Sequence, residues 1–201
     1  MTTFVLVHGA WCGGWIWRAV ADHLRDAGHV VYTPTFSGMG ERAHLLSKDI
    51  TLQTHIQDLV NVIEYEGLED VALVAHSYGG MVATGVADRI TDKLGALIYL
   101  DAALPEDGQA MLDLVPPDRK ATVIKLAEEE GGGLGIPSSL LLDTGIEDAA
   151  EREAFIARTC LHPLAPQLEA IRLEGNFNRV PKKAYVLAGI SNSHHFRSYM
   201  E

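Results

Sequence analysis

The sequence predicts a doubly wound α/β fold, in which helices cover both faces of a parallel sheet. Short apolar runs recur along the 201-residue chain, and amphipathic stretches with a helical period separate them. Fully apolar runs are typical of parallel strands that are buried on both faces. Their alternation with helices favours right-handed crossovers within one sheet. Ligands of such sheets bind beyond the carboxyl ends of the strands, so functional residues are expected there.

Five short apolar runs are predicted to be the strands of this sheet. They cover residues 4–7, 29–35, 71–75, 96–100 and 184–188. Helical stripes lie between the first four runs and open near Trp17, Leu52 and Met81. Thr51 is placed to cap the start of the second helix, and Gly28 to end the first.

The segment 104–178 breaks the alternation of strands and helices. A double proline and a run of three glycines interrupt it, and no part of it is typical of a strand. Helical patterns cover residues 109–114, 119–130, 147–159 and 165–173. We therefore predict an α/β core formed by residues 1–103 and 179–201, with residues 104–178 as a helical cap over the active edge of the sheet. An ordinary, longer helical layer is the alternative.

The charge balance excludes several kinds of partner. Sixteen Lys and Arg residues against 27 Asp and Glu residues leave a formal net charge of −11. A surface this acidic repels phosphate backbones and anionic lipid. We therefore expect neither nucleic-acid binding nor membrane-surface binding.

The two cysteines, Cys12 and Cys160, do not form a pattern with zinc-ligand spacing, so no metal site is predicted. Two free thiols in a reducing compartment are the simpler interpretation, and one disulfide is the alternative. The N-terminus lacks the basic region of a signal peptide, and no apolar run approaches the roughly 20 residues of a membrane span. We expect a cytoplasmic protein.

The strongest functional signal is a serine, Ser77, between a predicted buried strand and a predicted helix. Ala75 and Gly79, two positions away on either side, leave room for a strained turn that exposes the serine hydroxyl. This is the nucleophile-elbow arrangement, usually written Gly-x-Ser-x-Gly, with alanine in place of the first glycine. We predict Ser77 to be a nucleophile; a structural helix-capping serine is the alternative.

A second signal is His8-Gly9-Ala10-Trp11, which follows the first predicted strand. Acyl transfer requires two backbone N–H groups that bind the developing oxyanion. Tyr78, directly after the predicted nucleophile, supplies one, and Ala10 or Trp11 supplies the other. Gly9 permits the sharp turn that exposes these amides; a tight turn without function is the alternative. His8 is predicted to bond the loop backbone rather than to act as a base.

Four segments carry a resemblance to a known family. They are FVLVHGAWCGGWIW from residue 4, TFSGMGERAHLLS from residue 35, VAHSYGGMVATGVADRI from residue 74 and LIYLDAALPEDGQ from residue 97. With them the chain resembles small bacterial α/β-hydrolases similar to the plant methylesterase and hydroxynitrile lyase group. Within it, the chain looks most like bacterial esterases that act on benzimidazole carbamates. The resemblance implies a serine esterase without a cofactor, with Ser77 as nucleophile and Ala10 and Tyr78 as oxyanion donors.

The resemblance also implies a triad in the order serine, acid, histidine. After the last predicted strand, residues 189–193 include no carboxylate. Asp101, at the carboxyl end of the fourth predicted strand, is therefore the predicted acid, with a buried helix cap as the alternative. Glu106 and Asp107 are the next candidates and are interpreted as solvated loop charges.

The histidine of the triad is missing from its expected place. In the family it follows a further strand, whereas this sequence ends at Glu201. Serine hydrolysis without a base loses several orders of magnitude in rate. We expect that the sequence is cut short relative to the working protein; the alternatives are that His194 or His195 substitutes, or that the protein binds ligands without catalysis.

Aromatic residues near the predicted elbow indicate the substrate. Trp11, Phe36 and Tyr78 are predicted to lie at the pocket, whereas Trp17 belongs to a helical stripe and to the core. This favours a small ester or carbamate, with an aromatic or flat apolar group, cleaved through an acyl-serine. A cyanohydrin lyase is disfavoured because residues 10–14 contain no threonine.

An exposed last strand would leave an unpaired sheet edge that can pair with another chain, so a homodimer is a further hypothesis.

Overall fold

The computed structural model describes residues 1–140 and 145–188. Its strands are β1 (Thr3–Val7), β2 (Val30–Tyr32), β3 (Val71–Ser77), β4 (Leu94–Ala102), β5 (Gly135–Ile136), β6 (His162–Pro163) and β7 (Lys182–Val186). Five of them form one parallel sheet in the order β2-β1-β3-β4-β7. All five predicted strands are present in it, and the predicted parallel α/β sheet is confirmed.

The helices follow the strands in alternation over the first half of the chain. They are α1 (Arg18–Asp26), α2 (Leu52–Tyr65), α3 (Gly79–Arg89), α4 (Pro117–Glu129), α5 (Ala149–Ile156) and α6 (Ala165–Leu168). The hydroxyl of Thr51 accepts a hydrogen bond from the Thr54 N–H at 3.3 Å and caps α2, as predicted. Gly28, just beyond α1, has a φ of 85°, the left-handed conformation that favours glycine at a helix end.

The two faces of the sheet are covered by different helices. Successive strand residues point to opposite faces, so Leu6 packs with Trp17 and the α1 residue Ala21. Val5 packs on the opposite face in the large cluster that includes Ile56 of α2. Trp17 is therefore a core residue, as predicted. The carboxyl ends of β1, β3 and β4 meet at one edge, which brings the loop after β1 beside the end of β3.

The insertion contains more β structure and less helix than predicted. The short strands β5 and β6 pair antiparallel, where no strand was expected. The pattern over 165–173 yields only the four-residue α6, because the N–H groups of Ile171 and Leu173 bond instead to Gln109 and Asp107. The pattern over 109–114 yields a single 3₁₀ turn at Met111–Asp113. At residues 165–173, long-range hydrogen bonds thus override the local helical preference.

A second apolar cluster lies within the insertion and includes Val123, Ala127 and Ile136. Trp11 of the core packs against it, and the Trp11 indole N–H donates to the carbonyl of Ile136 at 2.9 Å. The insertion is therefore attached directly to the loop after β1. The division into a core and a cap at residues 104 and 178 stays a prediction.

Within the described residues, no helix is both long and apolar enough to cross a membrane. At one edge of the sheet, β7 has mostly exposed side chains. The predicted homodimer stays a prediction.

Gly80, in the first turn of α3, is expected to be required for stability. A Cβ atom at this position would lie 2.0 Å from the carbonyl oxygen of Ala103, so α3 would have to move away from the chain after β4. We expect Gly80→Ala to lower the free energy of unfolding by about 1–3 kcal/mol, measured by urea denaturation. The control is Gly67→Asn, since nothing lies within 4 Å of that position and asparagine tolerates its left-handed backbone. Equal stability of the Gly80→Ala variant and the wild type would contradict the close approach.

Candidate active site

Ser77 lies at the end of β3, in a sharp turn that leads directly into α3. Its φ of 54° is a strained, left-handed value for a residue with a side chain. Its side chain makes no hydrogen bond with any described residue, and the residue is half-buried. The structure thus contains the strained strand-turn-helix on which the prediction of Ser77 depends.

Small residues permit this turn, as the sequence indicated. A Cβ atom on Gly79 would lie 2.7 Å from the carbonyl oxygen of His8, so only glycine lets α3 begin this close to β1. A Cβ atom on Gly9 would lie 2.9 Å from the Cβ of Ser77. The loop after β1 therefore touches the serine itself.

Strained backbone is concentrated at this edge of the sheet. Four described residues other than glycine have a positive φ, and three of them are Trp11, Ser77 and Asp101. Each lies near the carboxyl end of one of the three neighbouring strands β1, β3 and β4. Strain of this kind costs about 1–3 kcal/mol per residue and clusters at functional sites. The structure therefore brings three sequence-predicted residues to one strained edge.

Two peptide groups at this edge are oriented by hydrogen bonds to their carbonyl oxygens. The carbonyl oxygen of Ser77 accepts the Ala103 N–H at 3.0 Å, which orients the peptide that carries the Tyr78 N–H. The carbonyl oxygen of Gly9 accepts the Nδ1–H of His8 at 2.8 Å, which orients the peptide that carries the Ala10 N–H. Among the described residues, neither the Ala10 N–H nor the Tyr78 N–H has an acceptor. Two oriented backbone donors therefore lie beside Ser77.

His8 is fully buried and has a structural part in this arrangement. Its Nε2 accepts the N–H of Phe36 at 3.2 Å, so Nδ1 carries the proton donated to Gly9. Burial lowers the pKa of His8 from 6.5 to about 4, and the residue is neutral at pH 7. The predicted role in holding the loop backbone agrees with these contacts.

Asp101 occupies an irregularity in β4. His76 pairs with Leu100 and Ser77 pairs with Ala102, so Asp101 is an extra residue between two rungs of the sheet. Such bulges redirect a side chain and are frequent beside active sites. Asp101 is buried, and its negative charge opposes the fall in the pKa of His76 that burial causes. The bulge thus places a carboxylate on the strand beside the serine.

The other acidic candidates, Glu106 and Asp107, are exposed. Asp107 accepts the N–H of Leu173 at 2.9 Å, and this bond joins the two ends of the insertion. Both lie in the loop after β4, where they were interpreted as solvated charges.

The pocket assignments of the Tyr78 and Phe36 side chains are corrected by the structure, because both are 0% exposed. The ring of Phe36 stacks on the imidazole of His55 at 4.8 Å between ring centroids and lies 4.3 Å from that of His8. No surface of Phe36 is left for a substrate, because histidines rather than an open cleft surround it. Trp11 is partly exposed and bridges the core and the insertion.

His55 and His162 were not singled out by the sequence, although both are fully buried here. The imidazole of His162 packs 4.5 Å from the ring of Tyr78, and Nδ1 of His55 lies 2.9 Å from the Tyr78 hydroxyl. A signal for His55 was present, since it falls on the apolar stripe of α2 between Leu52 and Ile56. A polar residue on a buried stripe indicates a specific partner.

Several sequence-based expectations fall outside the described residues. His194 and His195, the two candidate substitutes for the base, lie there, as do residues 189–193.

Cys12 and Cys160 are free thiols, which was the simpler of the two interpretations of the sequence. Within the part of the chain that is described, no group of three or more potential metal ligands occurs.

Ser77 lines neither of two cavities on the described surface. One, of about 550 Å³, includes Trp15, Arg18 and Arg158 in its lining. The other, of about 600 Å³, lies between the loop after β4 and residues 173–178. Neither is lined by Trp11 or Phe36, so neither corresponds to the predicted substrate pocket.

The parallel sheet, the sharp turn after β3 and the inserted segment after β4 together define the α/β-hydrolase fold. The chain belongs to the Alpha/beta hydrolase family, whose profile matches residues 4–201. The resemblance stated from the four sequence segments is thereby confirmed.

Named relatives agree with this assignment. The chain is 44% identical over 199 residues to the carbendazim hydrolyzing esterase of Nocardioides sp. (strain SG-4G), covering 94% of this chain and 80% of that protein. It is 34% identical over 105 residues to methylesterase 4 of Arabidopsis thaliana, covering 51% of this chain and 40% of that protein. In structure it is similar to an extracellular alpha/beta-hydrolase from a Paenibacillus species, with a TM-score of 0.85 and 29% identity over 93% of this chain and 77% of that one.

Proposed function

We propose that this protein is a carboxylic-ester hydrolase that cleaves small esters or carbamates through an acyl-serine intermediate. The observation that carries the proposal is the strained Ser77, which lies beside two oriented peptide N–H groups without acceptors among the described residues. Names of relatives agree, since the chain is similar to an esterase named for carbendazim hydrolysis and to plant methylesterases. Small esters and carbamates are therefore the substrate class.

In the proposed reaction, Ser77 Oγ attacks the substrate carbonyl and loses its proton to a base. The N–H groups of Ala10 and Tyr78 bind the resulting oxyanion, and each such donor contributes about 3 kcal/mol to transition-state stabilisation. Collapse expels the alcohol, which takes the proton, and water then attacks the acyl-serine by the same route. A carbamate would give an alcohol and a carbamic acid, which loses carbon dioxide to leave the amine.

Asp101 is the proposed acid that orients the basic histidine. Three described histidines near this edge are poorly suited to be that base. His8 and His55 are fully buried and form hydrogen bonds to the backbone. His76 precedes Ser77 on β3, and its ring packs against Trp17 on the face of the sheet that α1 covers. No base is proposed among the described residues; His194 and His195, the candidates from the sequence, lie outside them.

The proposal is tested with 4-nitrophenyl acetate, carbendazim and a fluorophosphonate probe. We expect turnover of both substrates and a single covalent adduct, which tryptic mass spectrometry should locate on Ser77. A matched incubation with mandelonitrile checks for the lyase alternative through cyanide release. Absence of both turnover and labelling at Ser77 would overturn the proposal and leave a binding function.

A further inference from the structure

Tyr78 carries a polar side chain that its proposed role as a backbone donor does not require. The side chain is fully buried, and its hydroxyl lies 2.9 Å from Nδ1 of His55. A buried hydroxyl without a partner costs about 1–3 kcal/mol, so His55 is what makes tyrosine acceptable at this position. Burial also raises the pKa of Tyr78 well above its usual value, which keeps the hydroxyl protonated.

The direction of this hydrogen bond follows from the second contact of His55. Its Nε2 lies 3.0 Å from the carbonyl oxygen of Ser37, which can only accept, so Nε2 carries the proton. Burial lowers the pKa of His55 from 6.5 to about 4, and the ring therefore holds a single proton at pH 7. Nδ1 is thus an acceptor, and the Tyr78 hydroxyl donates to it.

Contacts with Ser37 and Phe36 fix the position of the His55 ring. The Ser37 N–H and hydroxyl both donate to the carboxylate of Asp58, at 2.7 and 3.0 Å, which fixes the carbonyl that His55 uses. The ring of Phe36 stacks on the imidazole with 13° between the two planes. A chain of hydrogen bonds therefore runs from Asp58 through Ser37 and His55 to Tyr78.

We propose that His55 is a positioning residue for the hydrolytic site, which holds Tyr78 by its hydroxyl and so keeps the Tyr78 N–H aimed at the oxyanion. The inference rests on the proposed function. The Ser77–Tyr78 segment is held at two points, since the Ser77 carbonyl bonds to the Ala103 N–H and the Tyr78 hydroxyl bonds to His55. Because the oxyanion exists only near the transition state, loosening this segment lowers kcat and leaves KM in place.

The test compares Tyr78→Phe, His55→Leu, the double variant and His55→Asn with the wild type, with 4-nitrophenyl acetate as substrate. We expect each of the first two to lower kcat about tenfold with KM within about twofold of wild type. The double variant should also lose about tenfold, because both substitutions remove the same hydrogen bond and their effects do not add. His55→Asn keeps an acceptor oxygen near the position of Nδ1 and should recover part of the loss.

Tyr78→Phe is the decisive variant, because it removes one oxygen atom and keeps the shape of the ring even if His55→Leu does not fold. An unchanged kcat for Tyr78→Phe, a rise in KM alone, or a hundredfold loss in the double variant would overturn the inference while the hydrolase function stands. A wild-type protein with neither turnover nor labelling at Ser77 would overturn the function and the inference together. Thermal unfolding of each variant shows that the kinetic effects belong to folded protein.

Discussion

Replacement of Ser77 by alanine is expected to abolish ester turnover by the catalytically competent protein while leaving its fold intact. The hydroxyl is the proposed nucleophile, and loss of a serine nucleophile removes about 10⁴-fold or more of the rate. The side chain makes no hydrogen bond with the described residues, so its oxygen contributes little to stability. Turnover of 4-nitrophenyl acetate and the urea unfolding midpoint are the two measurements.

A matched control for this variant is Ser139→Ala. Ser139 is exposed, and its hydroxyl contacts only Glu130 among the described residues. We expect full activity from this control and none from Ser77→Ala, with equal unfolding midpoints for both. Residual turnover above about 1% of wild type in Ser77→Ala would remove Ser77 from the nucleophile role.

The protein is expected to lose stability steeply below neutral pH, because three fully buried histidines are neutral in the folded state. Burial lowers the pKa of His8 and of His55 to about 4, and that of His162 well below its usual value. In the unfolded chain each titrates near its ordinary value of about 6.5. The unfolded state therefore binds more protons below pH 6.5, and the free energy of unfolding falls as the pH decreases.

The size of this effect is large for one domain. A pKa that falls from 6.5 to about 4 on folding corresponds to about 3 kcal/mol lost by pH 4 for each of His8 and His55. A typical domain has about 5–15 kcal/mol in total. Urea unfolding at pH 7, 6 and 5 measures the slope in a range where ordinary carboxylates stay ionised.

Two variants separate buried from exposed histidines in this experiment. His44 is exposed, so His44→Asn should keep the wild-type dependence on pH. His8→Asn removes one buried titrating group and should flatten the slope between pH 6.5 and 5, whatever its stability at pH 7. A constant free energy of unfolding from pH 7 to pH 5 would show that these histidines are not buried in the neutral form.

Much of the site was predictable because its signals are local. The approach of Gly9 to Ser77 was not predictable, although both the glycine and the serine were singled out separately. Asp101 was predicted to be the acid because it lies at the end of a predicted strand. The bulge that sets it beside Ser77 depends on the register shift between β3 and β4, which the sequence did not indicate. Phe36 was assigned to the pocket because aromatic residues near a site often contact ligands, and the sequence contained no sign that His8 and His55 enclose it.

The sequence by itself determined the parallel sheet, the turn at Ser77 and the family, because apolar runs, helical periods and small residues at fixed offsets act over a few neighbouring residues. Only the tertiary structure decided which peptide groups have their carbonyl oxygen bound while their N–H has no acceptor among the described residues. It also decided that a histidine on α2 bonds to the tyrosine after the proposed nucleophile. The bonds from Ala103 to Ser77 and from Tyr78 to His55 join residues 26 and 23 positions apart. The physical reason is that packing of separate elements, rather than local preference, brings these polar atoms within hydrogen-bond distance.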